Sequence, residues 1–109
     1  MEKKTFYVIF GCEENAFEKE ENKFNNSEDA LAFAIERLQG NEEEVGVNED
    51  DKADVVKSFK DNFAQHGHTS DYYVNEQDYY CFIAICEGKD NAKDYRAELR
   101  DYRNEMIGD

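Results

Sequence analysis

Twenty-seven carboxylates, three cysteines and two histidines are the side chains of this 109-residue chain whose types could do chemistry. Paired carboxylates act as acid and base only where different environments separate their pKa values. The acids here fall on expected helix caps, strand edges and loops, in settings too alike to divide those roles. His66 and His68 stand two apart in a polar stretch, with no further ligands at a metal-binding spacing. Asn48 to Asp54 has the acid density of a calcium loop, but Ala53 occupies the sixth position, where such a loop needs glycine. Cys12, Cys81 and Cys86 are odd in number and lack CxxC spacing, which argues against a disulfide framework and a zinc ribbon. Cys81 and Cys86 lie in an apolar run, and Cys12 precedes Glu13 and Glu14, whose charge opposes a thiolate. These residues predict a non-enzyme with no metal and no cofactor, its thiols buried as small hydrophobes.

Charge is what sets the chain apart. The formal net charge is -14, and residues 13–51 hold fourteen acids against three bases. Such a load repels nucleic acid and anionic membranes and makes basic surfaces the natural partners. No early apolar run is long enough for a signal peptide or a membrane span, so the expected location is the cytoplasm.

The elements that must position these acids follow from hydrophobic pattern. Tyr79 to Cys86 is uncharged, rich in aromatic and β-branched residues and apolar on both parities, which predicts a central strand covered on both faces. Thr5 to Cys12 has the same character and is its expected neighbour. Phe17 to Phe24 mixes charge on both parities, as an edge strand does to resist aggregation. Asn25 to Ser27 followed by Glu28 and Asp29 opens a helix that Gly40 should stop, with Leu31, Ala34, Ile35 and Leu38 as its apolar stripe. Residues 41–47 read as a loop. Asn48 caps a second helix with Val55, Val56, Phe59 and Phe63 inward and Gly67 at its end. Asp71 to Val74 is a short strand joined by a turn at 75–78 to the central strand. Asp90 and Asn91 cap a last helix from Ala92, with Tyr95, Leu99, Tyr102 and Met106 inward and Arg96, Arg100 and Arg103 on the other side.

The expected fold is one α+β domain over residues 1–109. It has a four-stranded, mainly antiparallel sheet in the order β-β-α-α-β-β-α, packed with three amphipathic helices. Fifteen Phe and Tyr residues supply much of its core. A possible homodimer would bury aromatic surface left over at Tyr72, Tyr73, Tyr79 or Tyr80.

Acids two apart on a strand lie about 6–7 Å apart, and acids four apart on a helix about 6 Å, a pitch similar to that of a phosphate backbone. In length, charge and aromatic α+β core the chain resembles the small phage and mobile-element proteins that inhibit restriction or CRISPR nucleases. It carries no single family motif, so the resemblance transfers no residues. What it implies is an acidic nucleic-acid mimic, of the anti-restriction or anti-CRISPR type, seated in the basic cleft of a DNA- or RNA-binding enzyme. Its expected contacts are Glu13, Glu14, Glu18, Glu20, Glu21, Glu42, Glu43, Glu44, Glu49, Asp50 and Asp51. The alternative is a small protein-interaction domain whose surface is incidentally acidic.

Overall fold

Two strands that are apolar on both parities need cover on both faces, which is most complete at the middle of a sheet, and the fold places them side by side at the centre. The computed structural model describes residues 4–13, 19–40 and 46–107. Its elements are β1 (Phe6–Cys12), β2 (Glu20–Phe24), α1 (Ser27–Gln39), α2 (Lys52–His66), β3 (Thr69–Val74), β4 (Tyr80–Glu87) and α3 (Lys89–Ile107). The sheet has the order β2-β1-β4-β3 with every pair antiparallel. β1 and β4 pair from Phe6 opposite Glu87 to Cys12 opposite Cys81. The polar strands β2 and β3 take the edges, as their charge predicts.

The two parities of the central strands make two cores. Phe6, Val8, Phe10, Cys81, Ile83 and Ile85 pack against α1 and α2 through Ala34, Leu38, Val56, Phe59 and Phe63. Tyr7, Ile9, Phe82, Ala84 and Cys86 pack against α3 through Ala92 and Leu99. Complete burial of a side chain such as Phe59, Phe82 or Leu38 stabilises the fold by about 1.5–3 kcal/mol each. Gly11 allows the close approach of α3, because a Cβ there would stand 2.7 Å from Leu99 Cδ1.

Helix ends follow the caps read from the sequence, with two differences. Asn26 Oδ1 accepts from the Asp29 N–H at 2.8 Å, and α1 stops at Gly40, where φ is +78°. Asn48 acts one turn before α2, its Oδ1 accepting from the Asp51 N–H at 3.0 Å, so the helix itself begins at Lys52. α3 begins at Lys89 rather than Ala92. Gly88, at φ +88°, turns β4 directly into the helix, which leaves Asp90 inside the first turn and lets Asn91 Nδ2 donate to the Glu87 carbonyl at 2.9 Å. β3 starts at Thr69, two residues early, because β4 is long enough to pair Thr69 with Ile85. Tyr73 is buried toward α1 and α2 instead of adding to surface aromatics, and Met106 is 39% exposed.

Candidate functional site

Acids distant in sequence meet at one end of the sheet. β1 ends there at Cys12, followed by Glu13, and β2, running back, has Glu20 opposite Phe10. β3 ends there at Val74 and β4 begins there at Tyr80, joined by the turn that carries Glu76 and Asp78. The segment holding Glu49, Asp50 and Asp51 is tied to the same turn. Val47 bridges Asn75, and the Asn48 N–H donates to the Val74 carbonyl at 2.9 Å.

Asn75 is the post of this assembly. It is fully buried, and its Oδ1 accepts from the N–H groups of Gln77 at 2.9 Å and Tyr79 at 3.0 Å. Its Nδ2 lies 3.8 Å from Cys12 Sγ. A buried amide oxygen with two backbone donors fixes the turn, and Asp78 completes it in the left-handed region at φ +67°.

The expected contact acids differ in how much charge they present. Glu13 is half-buried, and its Oε1 accepts from the Tyr80 N–H at 3.3 Å. Glu20 is exposed and shares its charge with Arg37 at 3.0 Å. Glu21 faces α3 and is 16% exposed, with Arg96 at 2.6 Å, so it is structural rather than presented. That pair also takes Arg96 out of the solvent-facing arginine row expected beside Arg100 and Arg103. Glu49, Asp50 and Asp51 are exposed. Glu14, Glu18, Glu42, Glu43 and Glu44 lie outside the described residues.

Lys52 lies between two of these acids, 3.4 Å from Glu49 and 3.4 Å from Glu76. Partial desolvation works against its charge, but the hydrogen bonds to Glu76 and Glu49 hold the ammonium above the usual lysine range. Glu76 and Asp78 escape sequence reading because only the fold brings the hairpin turn beside residues 47–51.

A second run of acids lies along α3, where the helical period makes it legible from the sequence. Asp94, Glu98, Asp101 and Glu105 recur at the i, i+4, i+7, i+11 spacing that lines one flank of a helix, while Lys93, Arg96, Arg100 and Arg103 line the other. The acidic flank faces β3, since the Tyr72 hydroxyl donates to Glu98, and the basic flank faces β2 through Arg96.

The chemistry-bearing side chains elsewhere have structural partners. His68 Nδ1 lies 2.8 Å from the Tyr95 hydroxyl. All three cysteines are buried free thiols, and Cys81 Sγ donates to Cys12 Sγ at 3.1 Å across the central strand pair. The hydrogen bond to Cys12 and burial push the Cys81 thiol far above the ordinary range, and burial raises that of Cys86 to about 11. Among the described residues no three His, Cys, Asp or Glu side chains converge on a point where a metal could sit, and no helix is long and apolar enough to cross a membrane. No protein-family model, no curated protein and no solved structure matches the chain.

Proposed function

We propose that this protein is an acidic inhibitor of a DNA- or RNA-binding enzyme, of the anti-restriction or anti-CRISPR type, whose carboxylates stand in for phosphates in the enzyme's basic cleft. It acts by binding, without catalysis of its own. The observation that carries the reading is the gathering of Glu13, Glu20, Glu49, Asp50, Asp51, Glu76 and Asp78 at one end of the sheet. Charge focused on one pole attracts a basic cleft more strongly than the same charge spread evenly. Three buried free thiols support a cytoplasmic setting.

A second reading, an interaction domain with an incidentally acidic surface, draws on the acids that serve the fold. Asp29 and Asp51 pair with the Asn caps, and Glu20 and Glu21 hold arginines. The two readings diverge in experiment. Titration against a panel of basic nucleases at two salt concentrations should show inhibition that weakens steeply as salt rises, because carboxylate–cation attraction is screened within about 8 Å at physiological ionic strength. The double reversal Glu49→Lys, Asp50→Lys, at two exposed acids of that end of the sheet, should weaken it strongly with the fold intact. Reversing Arg100 and Arg103 should affect it far less, and Arg96 is left in place because it holds Glu21. Normal inhibition by this double variant, or no binding to any basic nucleic-acid enzyme at low salt, would return the protein to the second reading.

A further inference from the structure

One helix covers the α3 face of a four-stranded sheet, and the part it leaves open is aromatic. Tyr72 is 45% exposed, Tyr80 46% and Met106 39%, and these are the exposed large hydrophobic side chains among the described residues. They belong to a single patch. Tyr72 stands opposite Phe82 and Val74 opposite Tyr80, so both tyrosines project from the face that Phe82 shares with α3. Tyr102 lies against Tyr72 with ring centroids 4.6 Å apart, and Met106 follows one turn later on the same stripe. Carboxylates border the patch. The Tyr72 hydroxyl donates to Glu98, Glu105 lies further along the same acidic flank of α3, and Glu13 accepts from the Tyr80 backbone. The patch therefore adjoins the acidic end of the sheet.

We infer that the Tyr72–Tyr80 patch is an arginine-reading surface, on which guanidinium groups of a basic protein segment stack against the tyrosine rings while Glu13, Glu98 and Glu105 pair their charge. The occupant follows from complementarity. A planar, weakly hydrated cation prefers an aromatic face rimmed by carboxylates, and lysine, a compact and strongly hydrated ammonium, fits it less well. A second copy of the chain is disfavoured, because two molecules of net charge -14 repel each other. The protein already stacks arginine in this manner, with the Arg37 guanidinium 5.5 Å from the Phe10 ring centroid and 5.1 Å from that of Phe33. The inference rests on the proposed basic partner and adds which cation that partner must offer and where it is received.

The test uses oligoarginine and oligolysine peptides of equal length, titrated calorimetrically into the full chain at low salt. Arginine should bind more tightly, by about twofold to fivefold per stacked ring. Tyr80→Ala should lower that preference by one ring's share, about twofold to fivefold, while leaving helicity and melting temperature in place. Tyr80→Leu, which keeps apolar bulk without a π face, should lower it equally and serves if the alanine variant folds poorly. The pair Glu49→Lys and Asp50→Lys should instead weaken both peptides alike. Equal affinities in the wild type, or an arginine preference undiminished in both Tyr80 variants, would overturn the inference and leave the acidic-inhibitor reading standing. Failure to bind either peptide would overturn both. A concentration-dependent dimer that Tyr80→Ala dissolves would show that a second copy covers the patch and would also overturn it.

Discussion

Asp71 and Asn75, four residues apart on β3 and in the turn that follows it, show how single polar groups act in this fold. Asp71 sits on the edge strand β3, where burial raises its carboxyl pKa above the usual range despite a hydrogen bond from the Tyr72 backbone. A carboxyl whose folded pKa is raised adds stability that is fully present below its unfolded pKa of about 4 and lost as pH rises through the folded value. Asp71→Asn, neutral at every pH, should therefore be more stable than the wild type at pH 7, and the gain should vanish at pH 3. Urea melts at the two pH values check both the sign and its disappearance. Asn75→Ala would leave the Gln77 and Tyr79 N–H groups without their acceptor, at a cost of about 1–3 kcal/mol. Because Asn75 joins the hairpin turn to Val47, this variant should also loosen the acidic end, read as faster amide exchange at Val47 and Asn48 with the β1–β4 amides still protected.

At the scale of elements, close packing rests on two glycines that hydrophobic pattern does not reveal. Gly11 lies under Leu99, so Gly11→Ala must push the isobutyl group or all of α3 outward and should cost about 1–3 kcal/mol in chemical denaturation. Gly46 is more tightly constrained, since a Cβ there would stand 2.3 Å from Gly40 Cα, backbone against backbone. Gly46→Ala should destabilise at least as much, as neither backbone can rotate away. Asn26→Ala is the opposite case, a cap legible from sequence, with an expected loss of about 1 kcal/mol.

The whole molecule carries one charge problem with two consequences of opposite sign. Self-repulsion at net charge -14 disfavours the compact state, so added monovalent salt should raise the melting temperature by screening it. The same screening should weaken any complex with a basic partner. Measuring melting temperature and inhibition over one salt series tests both, and a melting temperature that falls between low and physiological salt would show that local ion pairs such as Arg96–Glu21 outweigh the net repulsion.

Sequence alone determined the elements and their arrangement, for reasons that are local. Two strands apolar on both parities have to be central, charged strands belong at edges, and the Asn caps and the glycines at 40 and 67 punctuate α1 and α2 where short-range hydrogen bonds and positive φ require. It determined the excess of charge as well, and its concentration in residues 13–51. Tertiary structure decided which acids meet. Glu21 turned inward because its parity on β2 faces α3 and Arg96, while Glu76 and Asp78 joined Glu49 because a buried asparagine draws residue 47 against the hairpin turn. The tyrosine patch was decided the same way, since a side chain's exposure depends on where a covering helix runs, and α3 leaves Tyr72 and Tyr80 open while α1 and α2 close over Tyr73.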